Sequence, residues 1–186
     1  MMRECWLKPN RRALLLGCLI PGLAATLGIG MMLISTSTND WEIARRIAGG
    51  LLLVGAGTIV LGLLALMMIP RVAFDHDQVL VYLRGHRPYR LPLDVVECFF
   101  QGQGPTGITS RRGKDSKTTN VVVRIAERAT QWHERPVKQS LGEWQNGYVI
   151  IRGTWSEPIT EEKLRELNSK LAQAKRRLRS AAGNDA

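Results

Sequence analysis

Apolar residues are concentrated in two long stretches near the start of the chain, residues 13–34 and 47–69. Neither stretch contains a charged residue or a histidine. A helix needs about 20 apolar residues to cross roughly 30 Å of hydrocarbon. In lipid, a helix also pairs the backbone polar groups that would otherwise have no partner. The pattern therefore predicts a transmembrane helical hairpin and is not typical of a soluble globular protein.

Small residues repeat at four-residue spacing within both predicted spans, where they would allow close helix packing. The helix-packing candidates are Gly22, Thr26 and Gly30 in the first span and Thr58 and Gly62 in the second. Two interpretations remain open: the hairpin packs on itself, or these faces meet a homodimer partner or another membrane protein. Pro21 lies inside the first span and predicts a kink there, because its ring removes one backbone donor.

Lysine and arginine near the span ends predict the orientation of the hairpin, because such residues accumulate on the cytoplasmic side. Four of them precede the first span, and Arg71 is the second residue after the other span. We therefore expect an integral membrane protein of a bacterial inner membrane with both termini in the cytoplasm. Trp6 and Trp41 are expected at opposite membrane interfaces. Residues 1–70 would form the anchor, and residues 71–186 a cytoplasmic domain.

The pattern after the second span changes to short β-prone runs separated by turn residues. Strands are predicted at 78–84, 89–93, 95–101, 121–125 and 148–155, with a weaker one between 128 and 138. Residues 102–120 and 139–147 are predicted to be loops because they are rich in glycine and polar residues.

The last part of the chain has apolar residues at spacings of three and four, which predicts one amphipathic helix over about 159–181. Its apolar stripe consists of Leu164, Leu167, Leu171, Ala174 and Leu178. Several short strands followed by one such helix predict an α+β domain, in which the helix caps a small antiparallel sheet or barrel.

Residues 74–100 resemble the opening of bacterial PH-like domains, which often follow a pair of membrane spans. The run FDHDQVLVYLRGHRPYRLPLDVVECFF has the strand, turn and second strand of that family. Leu91-Pro92-Leu93-Asp94-Val95 is similar to its step into the next strand. The resemblance implies a PH-like fold for the cytoplasmic domain and a role in binding.

The chain is basic, with a net charge of +10, of which residues 71–186 carry 20 basic and 13 acidic side chains, hence +7. Such a charge suits an anionic neighbour. The lipid- and anion-binding candidates are Arg111, Arg112, Lys114 and Lys117, which lie within seven residues. The alternative is a solvated loop whose charges keep it soluble. A second basic cluster, 175–179, suits the C-terminal end of the predicted helix.

No motif for catalysis or metal binding occurs in the sequence. His76, His86 and His133 do not have ligand spacing, and phosphate-binding glycine loops and nucleophile motifs are missing. We therefore expect no enzymatic activity and no cofactor or metal. Nucleic acid is a poor candidate partner, because aromatic residues do not alternate with the basic clusters.

The sequence favours a membrane-anchored binding or adaptor module that recognises a protein partner or an anionic lipid headgroup. The alternative is an accessory or assembly subunit of a larger membrane complex, contacting its partners through the transmembrane helices. The two differ in whether the cytoplasmic domain or the small-residue helix faces carry the interaction.

Overall fold

The computed structural model describes residues 3–34, 40–105 and 117–184. The chain divides into two compact units. The helical unit is Arg11–Met68, and the sheet unit combines Met1–Asn10 with Ile69–Ala186. The predicted anchor, residues 1–70, includes the first ten residues, whereas the structure groups these with the sheets.

The described residues of the helical unit form three helices: α1 Arg11–Gly17, α2 Leu19–Leu33 and α3 Asp40–Met67. The stretches Arg11–Leu33 and Trp41–Met67, of 23 and 27 residues, are long and apolar enough to cross a membrane. Only 17% and 6% of their most apolar windows are buried, whereas a core helix of a soluble protein is mostly buried. The two helices therefore expose their apolar side chains to the surroundings.

The first predicted span is interrupted at Cys18, between α1 and α2. The Cys18 amide donates to two carbonyls at once, those of Leu14 at 3.2 Å and Leu15 at 3.0 Å, which locally tightens the helix. Pro21 follows three residues later. Because proline has no backbone N–H, it cannot donate to the Gly17 carbonyl, and the helical hydrogen bonding is interrupted one turn before the proline. This is the position at which proline disturbs a helix.

In the part of the sheet unit that the structure describes, eight antiparallel strands form two four-stranded sheets. The first sheet has the order β1-β2-β3-β4 and the second β5-β6-β8-β7. The strands are β1 Glu4–Leu7, β2 Val72–Asp75, β3 Gln78–Val81, β4 Tyr89–Pro92, β5 Val96–Pro105, β6 Lys117–Ile125, β7 Gly142–Gln145 and β8 Tyr148–Ile151.

Strand β1 comes from the segment before the first helix, where the sequence analysis assigned no strand. It pairs antiparallel with β2, which follows α3, through Glu4 opposite Phe74 and Cys5 opposite Ala73. The helical unit is thus inserted between two neighbouring strands of one sheet. If the helix pair crosses a membrane, the residues at its two ends must lie on the same side.

Other regions also differ from the sequence prediction, among them β2, Val72–Asp75, for which no strand is predicted. The predicted loop 139–147 contains β7, which forms a hairpin with β8 around Asn146 and Gly147, both with positive φ angles. Asn-Gly favours this two-residue turn because both positions need a left-handed backbone. The weak strand prediction at 128–138 is wrong, because that segment contains only a short 3₁₀ helix, Thr130–Trp132, and irregular backbone.

The long strands β5 and β6 make the predicted loop 102–120 shorter at both ends. They pair from Val96 opposite Ile125 to Pro105 opposite Lys117. The predicted strand 148–155 ends early at Ile151 and continues into a 3₁₀ turn, Gly153–Trp155.

Helix α4, Glu161–Asn184, confirms the predicted C-terminal helix. The Thr160 hydroxyl accepts a hydrogen bond from the Lys163 amide at 3.2 Å, which caps the first turn. Asn168 pairs with the backbone of β5 on both sides: it accepts from the Phe99 amide at 2.8 Å and donates to the Phe99 carbonyl at 2.7 Å. One side chain thereby substitutes for a neighbouring strand at this sheet edge.

Apolar side chains from both sheets and from α4 form one core. Trp6 of β1 is buried at 1% exposure, stacked on Phe74 at 5.1 Å and edge-on to Phe99 at 6.2 Å. The expected interfacial position of Trp6 is therefore wrong, because its ring is part of the core of the sheet unit. The predicted α4 stripe contributes Leu164, Leu167, Leu171 and Ala174 to the core, with Leu178 at its margin.

Candidate functional site

The two connections to the helical unit leave the sheet unit from the same end, which we call the tether end. One connection is residues 8–10, after β1, and the other is 68–71, before β2. Both contact residues 155–157, which join β8 to α4.

Backbone and side-chain hydrogen bonds join the two connections to this segment. The Trp155 carbonyl accepts from the Asn10 amide at 3.1 Å and from Arg71 Nε at 2.9 Å. The Glu157 amide donates to the Lys8 carbonyl at 2.9 Å, and the Lys8 amide donates to the Glu157 carboxylate at 3.0 Å. Both connections are therefore held by the folded domain.

Arg71 is the most buried charged side chain at the tether end, with 4% of its surface exposed. Its own amide donates to the Leu7 carbonyl at 2.8 Å, and its carbonyl accepts from the Tyr82 amide at 3.1 Å. Burial lowers the pKa of the Arg71 guanidinium below its usual range. This arginine links three segments through its backbone and side chain, so it fixes the point at which the chain enters β2.

Strands β5 and β6 also end at the tether end. Asn120 of β6 is buried, and its side-chain oxygen accepts from the Gly153 amide at 3.1 Å. Gly153 lies so close to the Thr119 carbonyl that a Cβ would collide with it. Since Gly153 is two residues before Trp155, Thr119 and Asn120 of β6 lie close to the segment that holds the connections, and the open ends of β5 and β6 extend beyond them.

The predicted lipid- and anion-binding residues follow from these strand ends. Lys117 begins β6, and its backbone pairs with Pro105. Arg111, Arg112 and Lys114 lie outside the described residues. Of the four predicted residues, the structure therefore describes only Lys117, which lies opposite Pro105 where the β5–β6 pairing ends.

The contact between α2 and α3 is made by glycines that the sequence analysis did not select. A Cβ built on Gly28 would lie 2.8 Å from the Gly49 carbonyl oxygen, and one on Gly49 would lie 2.8 Å from that of Gly28. Gly17, closer to the start of the chain, would meet Leu63 at 3.7 Å. The helices therefore approach backbone to backbone at a single glycine pair.

The helix-packing candidates from the sequence lie outside this contact. Among the described residues, no atom lies within 4 Å of a Cβ built on Gly22, Gly30 or Gly62, apart from their own helix and chain neighbours. The Thr26 hydroxyl donates to the Leu23 carbonyl and the Thr58 hydroxyl to the Val54 carbonyl, both at 2.8 Å. Packing of the hairpin on itself does not use these glycines.

The other end of the sheet unit contains a groove between α4 and the turns after β4 and β6. We call it the distal groove. Its volume is about 260 Å³, and it is lined by Leu93, Asp94, Arg128, Lys175, Leu178 and Arg179. Residues of β5 and β6, including Glu97 and Arg124, continue it as an open surface.

The direction of α4 separates the distal groove from the tether end. Lys163 lies near the tether end, where its ammonium is 3.2 Å from the Glu157 carboxylate. Lys175 is twelve residues further along the helix, about 18 Å at 1.5 Å per residue. The Leu93 amide donates to the Asp77 carbonyl at 3.1 Å, so the groove also adjoins the turn between β2 and β3, at the far end of those strands.

Positive charge exceeds negative charge in the distal groove. Arg128 bonds the Asp94 carbonyl at 3.2 Å and lies 3.6 Å from its carboxylate. Within the described ranges, no carboxylate oxygen lies within 4.0 Å of the side-chain nitrogens of Lys175 or Arg179. Burial, and after it the charge of Arg179, lowers the pKa of Lys175, while Glu97 and Asp94 act in the opposite direction. Two neighbouring cations therefore share a partly desolvated site.

Sequence reasoning missed the distal groove because its residues come from three distant parts of the chain. The basic cluster 175–179 is evident in the sequence, but the preference for positive charge at the C-terminal end of a helix and the need for solubility account for it without a binding site. Residues 93 and 94 stood out in the sequence only through the resemblance of residues 91–95 to bacterial PH-like domains. Within the described residues, no three His, Cys, Asp or Glu side chains come close enough to hold a metal ion.

Comparison with known proteins adds no assignment, since no family model, curated protein or solved structure matches this chain.

Proposed function

We propose that this protein is a membrane-anchored binding module, held in the inner membrane by its two apolar helices, with the sheet unit and both termini in the cytoplasm. The basic segment that contains Arg111, Arg112, Lys114 and Lys117 binds anionic lipid headgroups. The observation that carries this proposal is the shared position of the chain connections and the open ends of β5 and β6.

Chain geometry supports the anchoring part of the proposal. The connections between strands and helices are three and four residues long, residues 8–10 and 68–71. A residue spans at most about 3.6 Å, so each connection reaches no more than about 15 Å. Both are also hydrogen-bonded to residues 155–157. A domain tethered this closely at one end keeps that end near the surface that its helices cross.

Electrostatics supports the lipid part. A lysine or arginine close to an anionic leaflet contributes about 1 kcal/mol. Four such residues within seven positions would act together at the surface. Lys117 is the first residue of β6, and the other three precede it in the chain. The PH-like character of the sheet unit is part of the same proposal. Two antiparallel sheets and a C-terminal helix support it, together with the resemblance of residues 74–100.

Lipid retention by the whole chain tests the lipid part. The full chain is reconstituted in nanodiscs of mixed phosphatidylglycerol and phosphatidylcholine, released into the gas phase and weighed by native mass spectrometry. We expect Arg111→Ala/Arg112→Ala to retain fewer phosphatidylglycerol molecules than the unmodified protein. The loss corresponds to an affinity about tenfold lower or more.

The matched control is Arg176→Ala/Arg177→Ala, which removes the same adjacent pair of charges from exposed positions on α4. It should retain lipid like the unmodified protein. Equal retention by both variants would refute lipid binding by the basic segment. A reporter fused after Ala186 tests the orientation separately, because activity only outside the cytoplasm would contradict it.

A second candidate function, an accessory subunit that contacts a complex through its helices, is favoured by the glycines outside the α2–α3 contact. Gly22→Leu or Gly30→Leu would then remove a crosslink to a membrane partner or to a second copy. Gly50→Leu is the control, because it also fills open space but lies outside the predicted packing stripes. Unchanged crosslinking in all variants would exclude these faces as contacts.

A further inference from the structure

We propose that the distal groove binds an acidic segment of a partner protein, with an apolar side chain of that segment seated between Leu93 and Leu178 and its carboxylates facing Lys175, Arg179 and Arg128. This inference uses the proposed membrane anchoring only to exclude lipid as the occupant. The site is independent of the basic segment 111–117.

The charges of the groove favour an anionic occupant. Arg128 is shared with Asp94, but Lys175 and Arg179 have no carboxylate within salt-bridge distance among the described residues. Lys175 is half-buried, so its charge is incompletely solvated. A carboxylate placed between the two cations would replace lost hydration with charge-assisted hydrogen bonds, which are stronger than those between neutral groups.

The floor of the groove favours an occupant that is also apolar. Leu93 is 2% exposed and closes the base, and Leu178 is half-buried at the margin of the core. A volume of about 260 Å³ accommodates one or two side chains rather than a whole ligand of drug size. A free inorganic anion would leave this apolar surface uncovered. An acidic peptide with an interspersed leucine or phenylalanine would cover it.

The position of the groove favours protein over membrane. The chain enters its helices at the tether end, and the groove lies about 18 Å further along α4, beyond Lys163. The strand directions agree, because β2 starts at the tether end and turns at residues 76–77, next to Leu93. This separation exceeds the Debye length of about 8 Å at physiological ionic strength, so charges at the tether end are largely screened from the groove.

The test uses the full chain in phosphatidylcholine nanodiscs and an array of short synthetic peptides. The number of Glu residues and the number of Leu or Phe residues vary independently across the array. We expect binding to require both, with peptides that are only acidic or only apolar left unbound. Lys175→Gln/Arg179→Gln should weaken the best peptides about tenfold or more, because two charge-assisted contacts are lost.

Arg176→Gln/Arg177→Gln is the matched control, with the same charge change on the same helix outside the groove. It should leave peptide binding within about twofold of the unmodified protein. Thermal unfolding of both variants shows whether the fold is retained. If no class of peptide is enriched, or if both pairs of substitutions weaken binding equally, the proposal is overturned.

The lipid alternative is tested in the same format with water-soluble, short-chain phosphatidylglycerol as the probe. Competition of this lipid with the peptides, and its loss in Lys175→Gln/Arg179→Gln, would replace the protein partner by a headgroup and overturn the proposal. Failure of the groove proposal can be told apart from failure of the proposed function. The proposed function is tested by substituting Arg111 and Arg112 and measuring the lipid that the whole chain retains.

Discussion

The two ends of the sheet unit use their polar groups in different ways. At the tether end, polar groups face inward: backbone amides and carbonyls of three segments pair with one another, and Arg71 donates to a backbone carbonyl while almost fully buried. At the distal groove, the charged side chains of Lys175 and Arg179 line an open surface without a close carboxylate among the described residues. Internally satisfied polar groups stabilise a fold, whereas cations left open to solvent are available to a partner.

The largest expected effect lies on the tether side. Trp6→Ala removes a fully buried indole that stacks on Phe74, and such a truncation typically costs about 3–5 kcal/mol. We expect a clear loss of thermal stability of the full chain in detergent, with release of β1 from the sheet. Hydrogen exchange of residues 3–7 measures that release.

The control for this prediction is Trp41→Ala, because Trp41 is 79% exposed within the chain. It should change the unfolding temperature little in the same detergent. If Trp6→Ala is as mild as Trp41→Ala, packing of Trp6 does not stabilise the sheet unit, and the contrast between its two ends is refuted.

An intermediate effect is expected at Asn168, which lies on α4 between the two ends. Asn168→Ala leaves the amide and the carbonyl of Phe99 without their side-chain partner at a sheet edge. We expect a cost of about 1–3 kcal/mol, measured by chemical unfolding.

Gln173→Ala is the matched control for Asn168→Ala. Its amide makes only a 3.4 Å contact with Ser169 on the exposed side of the same helix. A cost below about 0.5 kcal/mol is expected for an exposed site of this kind. If Asn168→Ala is as mild as Gln173→Ala, the β5 edge does not depend on this side chain.

The smallest effect is expected at the distal groove and concerns pH. Burial lowers the pKa of Lys175, and a bound carboxylate favours its protonated form, so binding takes up protons. The affinity for acidic peptides should therefore fall as pH rises, beginning below the range in which an ordinary lysine loses its proton.

Lys175→Arg sharpens this prediction, because arginine keeps its charge throughout that range. The variant should bind with an affinity that no longer declines over the same pH interval, as measured by fluorescence anisotropy with a labelled peptide. An unchanged pH profile in the variant would assign the dependence to another group. The free energies of unfolding of Lys175→Arg and of the unmodified protein should differ by no more than a few tenths of a kcal/mol.

The elements that could be predicted are those whose pattern is local. The two apolar stretches and the α4 stripe repeat over many residues, so their helices follow from the sequence alone. Residues 78–81 and 148–151 are dense in β-branched side chains and form strands as expected. The Asn146-Gly147 pair was also a local indicator of the β7–β8 hairpin, but the polar residues around it favoured a loop.

The elements that were missed depend on distant partners. Strand β1 has only four residues, and its pairing partner β2 follows both long helices. Its tryptophan was therefore assigned to a membrane interface. The distal groove combines residues 93–94, 128 and 175–179, which only the fold brings together. Gly28 and Gly49 meet because of the register of two antiparallel helices, and the spacing within one helix does not determine that register.

The insertion of the helices between β1 and β2 imposes an order on biosynthesis. When β1 leaves the ribosome, its partner is still absent, and residues 8–71 must be made first. At about 5–20 residues per second, this takes roughly 3–13 s. Throughout that interval Trp6 has no core to enter. The first sheet can close only after both apolar helices have been synthesised, and its closure then brings together the two ends of the helical unit.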